Sequence, residues 1–385
     1  MVHQLHNIEK EMIDMRRYMH MNPELSFEET NTVRFITNYL EKLGIPYKKN
    51  VGGGGIVATI KGIKPGKTVA LRADFDALPI SDEKDVPYKS QVPNVMHACG
   101  HDAHTASLLG VANVVSQNTK NFNGEIRLIF QHAEELQPGG AIGMIEDGCL
   151  DGVDAIFGNH MASKMPIGKV GYISGPAMAA SATYEITIKG AGGHGAYPHT
   201  TIDPIVIGAN VVQKFQQIVS RRINPLNPAV VTVGKFIAGT AFNIIPDTAF
   251  IGGTVRVYDV SVQEKIHNEM DNILKGLCTS SGATYDFFFN KGYPAVINTK
   301  EETKIVKEAF DILGLDSTEM EPRMGAEDFS YYLQKVPGSF FSTGAGNESE
   351  GIIYPHHHPK FDIDEKSILI ASKALLQSAL VFLSK

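Results

Sequence analysis

YEITIK, residues 184–189, opens the stretch that decides the fold. Its alternation of apolar and polar side chains reads as a strand, and five further segments follow it. A helix is expected over DPIVIGANVVQKFQQIVS (203–220), strands over AVVTVGKFIAG (229–239) and DTAFIGGTVRVY (247–258), a helix with Val262, Ile266, Ile273 and Leu277 turned inward, and a strand over ATYDFFFN (283–290). The order β-α-β-β-α-β is that of the ferredoxin-like split unit, which can fold as a small domain on its own. Residues 181–293 therefore read as an inserted α+β domain.

The flanks have a different character. IVATI (56–60), TVALRAD (68–74), EIRLIFQ (125–131) and DAIFGNH (154–160) are short apolar runs, with helix-like HTASLLGVANVVSQ (104–117) among them. After the insertion, TKEETKIVKEAFDILG (299–314) and DEKSILIASKALLQSALVFL (364–383) return to helical periodicity. This alternation predicts an α/β fold, a central mixed sheet flanked by helices, discontinuous over 1–180 and 294–385. Near the N-terminus, SFEETNTVRFITNYLEKLG (26–44) predicts a helix, with Ser26 and Glu29 at capping-box spacing and Gly44 as its C-terminal stop. GGGG at 52–55 lacks both the following helix and the Lys-Ser/Thr of a phosphate loop, so a tight turn is expected there.

A length of 385 residues suits two domains. With 43% hydrophobic and 20% charged residues, disorder and fibrous repeats are excluded as readings. The net charge of −7 carries no long basic run, which argues against nucleic acid or an anionic membrane and for a small-molecule partner. No apolar stretch of about 18 or more residues and no signal-peptide plan are seen, so a cytoplasmic protein is expected. Three cysteines are too few for a disulfide framework, whereas 14 histidines call for an explanation.

That explanation starts at Met96-His97-Ala98-Cys99-Gly100-His101-Asp102-Ala103-His104, where a thiol and an imidazole two residues apart form a pair suited to zinc and later transition metals. Other readings are a polar loop, or Cys99 as a nucleophile with a histidine base. In an α/β sheet, ligands gather at the strand C-terminal ends, which singles out Asp74, Asp76, Glu134, Glu135 and His160. Neighbouring Glu134 and Glu135 on a strand end would point to opposite sides, one to ligate a metal and one to act on water. One of His356, His357 and His358 could close such a site. In GAGGHGAYPH (190–199), His194 could donate to a developing oxyanion. Arg256 offers a planar fork for a carboxylate, with Asn243 on the preceding segment; the alternative for Arg256 is a surface pair with Asp259.

RRYMHMNPELSFEE (16–29), RADFDALP (72–79), HACGHDAHTA (97–106), the Glu-Glu pair, His160, GGHGAYPH (192–199), NIIPDTAFIGGTVR (243–256), GAEDF (325–329) and HHPKFDIDE (357–365) occur in the order of the M20 metallopeptidase family. The chain resembles its amidohydrolase branch, which includes hippurate hydrolases and N-acyl-amino-acid deacylases. The resemblance implies a catalytic domain interrupted by a lid or dimerisation domain, and two divalent metal ions per subunit, manganese or zinc, with cobalt or nickel as alternatives. By motif position, Cys99, His101, Glu135, His160 and His357 would be ligands, with Cys99 as a candidate bridge. Glu134 would be the general base acting on water between the metals. Asp76 would support catalysis, and Asp74 would stand where many relatives carry a ligand histidine. His194 would act in oxyanion stabilisation in a partner subunit, and Asn243 and Arg256 would bind substrate.

The implied activity is hydrolysis of N-acyl amino acids by a homodimer joined through the lid, with a tetramer as the alternative. N-acetyl-diaminopimelate deacetylase and dipeptidase activities are the rival enzymatic readings. A metal- or redox-binding protein is the rival outside catalysis. His132, where relatives often carry proline, and His199 have no assigned role, and Cys149 and Cys278 are expected to be buried thiols.

Overall fold

The four apolar runs at 56–60, 68–74, 125–131 and 154–160 lie in strands of one mixed sheet: β2 (Gly55–Lys61), β3 (Thr68–Asp74), β4 (Glu125–Gln131) and β5 (Ala155–Pro166), with β1 (Tyr47–Val51) at its edge. The computed structural model describes residues 1–385 as two units. One comprises Met1–Ala177, Val296–Pro322 and Asp328–Lys385; the other comprises Met178–Ala295 and Arg323–Glu327.

In the larger unit the sheet has eight strands, ordered β1-β2-β4-β3-β5 and then Gly338–Gly346, Lys169–Tyr172 and Asp316–Glu319. β4, β3, β5 and Gly338–Gly346 run parallel, so their C-terminal ends share one edge. These central strands are buried almost throughout, as parallel strands covered on both faces must be. The run Gly52–Gly54 is the turn between β1 and β2. Gly52 has φ +67, and a Cβ there would meet the Met144 backbone nitrogen at 2.3 Å, so both conformation and space demand glycine.

Helices α1 (Glu9–Met21), α2 (Thr30–Lys42) and α3 (His101–Ser116) belong to this unit. Gly44, with φ +67, follows the end of α2, and Ile45 N–H closes the turn onto Leu40 O at 3.0 Å. The start of α2 corrects the expected capping box. Glu24 supplies the cap, its carboxylate accepting from Asn31 N–H (2.9 Å) and Thr32 N–H (2.8 Å). Ser26 and Glu29 turn elsewhere.

The C-terminal helix Lys366–Ser384 corrects a second expectation, because by length and composition it is apolar enough to span a membrane. Scattered Ser, Lys and Gln residues hide this from a search for an uninterrupted run. Ile368, Leu375, Leu376, Ala379 and Phe382 are buried in the core with Val111, Val115 and Phe310.

The smaller unit has the ferredoxin-like arrangement. Its strands Ala180–Lys189, Ala229–Ala238, Thr248–Val257 and Thr284–Lys291 are all antiparallel, in the spatial order second-third-first-fourth. Helices Pro204–Gln217 and Val260–Ser281 pack Val211, Phe215, Ile266 and Leu274 against Tyr184, Ile186 and Ile188. The inward stripe of the second helix runs through Val262, Ile266, Met270 and Leu274, leaving Ile273 and Leu277 at its margin. That is the i, i+4 row, one position from part of the expected one. Cys149 and Cys278 are both buried free thiols, as expected.

Candidate metal centre

At the shared strand edge of the larger unit, five side chains from four separate segments converge. Cys99, His101 and His160 offer donor atoms within 4.8 Å of one another, and so do Cys99, Glu135 and His357. Cys99 is common to both groups. The Cys99–His101 segment lies at the N-terminus of α3, with Gly100 turning the chain at φ +91. His357 also has positive φ (63°), and its N–H donates to Ala98 O at 2.8 Å, stitching its loop to the cysteine loop.

The hydrogen bonds fix which ring nitrogens can ligate. His101 Nδ1 lies 3.0 Å from Asp76 O and 3.1 Å from Asp76 Oδ1, both acceptors, so Nδ1 carries the proton. Its Nε2 is buried without a partner. His160 Nδ1 donates to Met161 O (2.7 Å), leaving Nε2 at 3.5 Å from Cys99 Sγ. Glu135 Oε1 is likewise buried with no hydrogen-bond partner and faces His357 Nε2 at 3.3 Å. Orphaned lone pairs pointing at one another are costly in a buried site and are what a cation would satisfy. The donor set of thiolate, three imidazoles and a carboxylate suits first-row divalent metals, so the residues fit two divalent ions.

Burial, and then the charge of Glu135, push the Cys99 thiol well above its usual range. Burial pushes the His160 imidazole well down. A nucleophilic thiol needs an electropositive setting that lowers its pKa, and burial beside Glu135 acts in the opposite direction. A bound cation inverts this balance.

Asp74 stands beside the centre as a brace. Its Oδ1 accepts from His104 Nδ1 (2.6 Å), and its Oδ2 pairs with Arg72 Nη1 (2.5 Å), remaining 3.7 Å from His101 Nε2. Burial alone would raise its pKa, but Arg72, His101 and His104 hold it well below the carboxylate range. Met161 N–H donates to His104 Nε2 at 2.8 Å, so His104 is fixed as the Nδ1–H tautomer. Arg72 also reaches Asp328 (2.9 Å), which accepts in turn from Gln131 Nε2 (2.7 Å). Arg72, His104 and Asp328 lie in motifs quoted above but carry no assigned role in the sequence reading. One signal was available: residues 72 and 74 share a strand face.

The expected divergence of Glu134 and Glu135 is corrected by the structure. Both carboxylates and His101 Nε2 lie within 4.8 Å of one another. β4 ends at Gln131, and Ala133 takes a left-handed conformation (φ 52°), so strand alternation no longer applies. His132 is buried beneath the Gly52–Gly54 turn; a Cβ on Gly54 would meet its ring at 2.8 Å.

Beneath the centre lies a buried ionic network. Arg16 on α1 donates to Asp102 Oδ2 (2.9 Å), Asp362 Oδ1 (2.8 Å) and Glu365 Oε1 (3.2 Å). His20 Nδ1 donates to Asp102 (2.7 Å), while its Nε2 accepts from Lys84 Nζ (2.9 Å). Next to it, His97 is buried with neither ring nitrogen hydrogen-bonded. Burial pushes its pKa down to about 4, against a partial offset from Asp102. Folding therefore favours neutral His97: its stabilisation is complete above about pH 6.5 and is lost as pH falls towards 4, by about 3 kcal/mol in all. Denaturant unfolding followed across that range should show this acid loss in the wild type and not in His97→Leu.

The smaller unit holds the other candidates. Ala196 N–H donates to His194 Nδ1 at 3.0 Å, which leaves the exposed Nε2 protonated and free to donate. His194 pairs in register with Ile244, next to Asn243. Arg256 donates to its own neighbour Val255 O (3.0 Å) and pairs with no carboxylate of the chain. Asp259 instead caps the helix Val260–Ser281, accepting from Ser261 N–H at 2.7 Å. The surface Arg256–Asp259 pair is therefore not formed. His199 lies on an exposed turn, against Tyr197.

Residues 70–380 match the model of peptidase family M20/M25/M40. Thermostable carboxypeptidase 2 of Saccharolobus solfataricus is 45% identical over 98% of this chain and 97% of its own length. N-acyl-L-amino acid amidohydrolase of Geobacillus stearothermophilus is 47% identical over 76% of this chain and 80% of its own. Among solved structures, the Bacillus subtilis YXEP protein, described as a dinuclear metal binding peptidase from the M20 family, superposes with a TM-score of 0.87 at 35% identity. That match covers 98% of this chain and 99% of the other.

Proposed function

Since the chain belongs to peptidase family M20/M25/M40 and is a metal-dependent enzyme that hydrolyses amides, we propose that its substrates are N-acyl amino acids and that Glu134 is the general base. The observation that carries this reading is the convergence of Glu134 with Glu135 on the unpartnered His101 Nε2. A base that sits beside the ligands without being consumed as one is what hydrolysis requires.

Cys99, His101, Glu135, His160 and His357 would hold two divalent cations, manganese or zinc, whose chemistry is to acidify water and polarise an acyl carbonyl. Glu134 takes the proton from the attacking water and returns it to the departing amine. Asp76 keeps His101 in its ligating tautomer. His194, with its proton on Nε2, is suited to donate to the tetrahedral oxyanion in the site of a partner subunit. Arg256, with no carboxylate of its own, is suited to the free α-carboxylate of the amino-acid half, with Asn243 as a further donor. The names of the carboxypeptidase and the N-acyl-amino-acid amidohydrolase share that chemical feature: an amide whose amine half is an amino acid with a free carboxylate.

Amine release should be measured from a panel of N-acetyl and N-benzoyl amino acids, N-acetyl-diaminopimelate and dipeptides. The proposal expects the N-acyl amino acids to give the highest kcat/KM; a preference for dipeptides or for the diaminopimelate derivative would replace the substrate assignment. Arg256→Ala should raise KM about 10- to 100-fold for free acids, the loss of a hydrogen bond to a charged group, with little change for the corresponding methyl esters. An equal rise for both would remove carboxylate recognition from Arg256.

A further inference from the structure

Ser26 and Glu29 have the spacing of a helix cap, yet Glu24 caps α2 in their place. Their side chains face the catalytic loop. Ser26 Oγ donates to Asp76 Oδ2 at 2.7 Å, and that same oxygen accepts Glu135 N–H at 2.9 Å. Glu29, only 6% exposed, accepts Ala133 N–H on Oε1 at 2.8 Å. One turn thus reaches the backbone on both sides of Glu134, directly through Glu29 at Ala133 and indirectly through Ser26 and Asp76 at Glu135.

This backbone is held in an uncommon conformation. Ala133 has φ 52°, and across from it Phe27 has φ 69°; neither is glycine. Left-handed conformations of such residues persist where their surroundings impose them. The Phe27 ring stands edge-on against His132, 5.7 Å between centroids. The turn is itself tied to the site, since Ala77 N–H donates to Glu24 O at 2.8 Å and Leu25 bridges Ala77. Glu29 has a cost to justify, because burial and then the charge of Asp76 push its carboxyl up to about 7. A helix cap would not require an acid at that depth.

We propose that Glu29 and Ser26 are positioning residues for catalysis: Glu29 locks Ala133 in its left-handed turn so that Glu134 faces the metal ligands, and Ser26 steadies the same loop through Asp76. Neither touches substrate. The role presupposes the hydrolytic reading of Glu134.

The test compares wild type, Glu29→Ala, Glu29→Gln and Ser26→Ala on one N-acyl amino acid, with elemental analysis and a melting curve for each. Glu29→Ala should lower kcat about 10- to 100-fold with KM within about twofold and metal content unchanged. Glu29→Gln keeps a carbonyl acceptor for Ala133 N–H and should recover to within about threefold of wild type. Ser26→Ala should lower kcat several-fold, and it decides the matter if Glu29→Ala does not fold. Full kcat in both alanine variants, whatever their melting temperatures, would overturn the role. So would a Glu29→Gln as slow as Glu29→Ala, which would make the carboxylate a proton carrier. If the wild type releases no amine from any substrate of the panel, the hydrolytic reading fails first, and that result is distinct from an active wild type with equally active variants.

Discussion

Glu134→Gln is expected to bind two metal ions per chain and to lose turnover by about 10³-fold, within the range that a general base contributes. The glutamine is nearly isosteric, and the five proposed ligands do not include Glu134, so the centre itself should stand. What disappears is the group that accepts the proton of water and hands it to the amine. Elemental analysis alongside kcat separates these two effects. Intact metal content with full turnover would remove Glu134 from the base role. Loss of metal together with turnover would instead make it a ligand, a reading that its closeness to His101 Nε2, 4.0 Å from Oε2, makes worth excluding.

Cys99→Ala is expected to lower metal content below two per chain and activity with it. Cys99 is the donor shared by the Cys99-His101-His160 and Cys99-Glu135-His357 groups, so its loss weakens both at once. His357→Ala should be milder in metal content, since it belongs to only one group. The contrast depends on sharing, not on burial. If Cys99→Ala kept both metals and the wild type accumulated an acyl-enzyme with substrate, the thiol would be the nucleophile instead.

The proposed ligands stand out along the chain because they are packed into short motifs. Cys99 and His101 lie two residues apart, and His160 and the Glu134–Glu135 pair sit at or just beyond strand segments whose apolar runs are plain. The supporting residues were hidden for two physical reasons. Arg16 reaches Asp362 across 346 residues and Arg72 reaches Asp328 across 256, and no local pattern announces such pairs. Ser26 and Glu29 show the opposite problem: a valid local pattern, the capping box, whose side chains were claimed by tertiary contacts once Glu24 capped the helix. Likewise, the left-handed turn at Ala133 carries no glycine to mark it, so in the sequence the bend that brings Glu134 and Glu135 together looks like a continuing strand. In the smaller unit, apolar periodicity was sufficient to give the β-α-β-β-α-β order, because each element there buries a single face.

The most direct measurement is a metal titration of the chelated protein, with calorimetry and amine release followed on the same samples as Mn²⁺ or Zn²⁺ is added. Metal-free protein should be inactive, and activity should rise to a plateau at two equivalents per chain. Full activity without metal, or a plateau at one equivalent, would contradict a two-metal hydrolytic centre built on Cys99, His101, Glu135, His160 and His357.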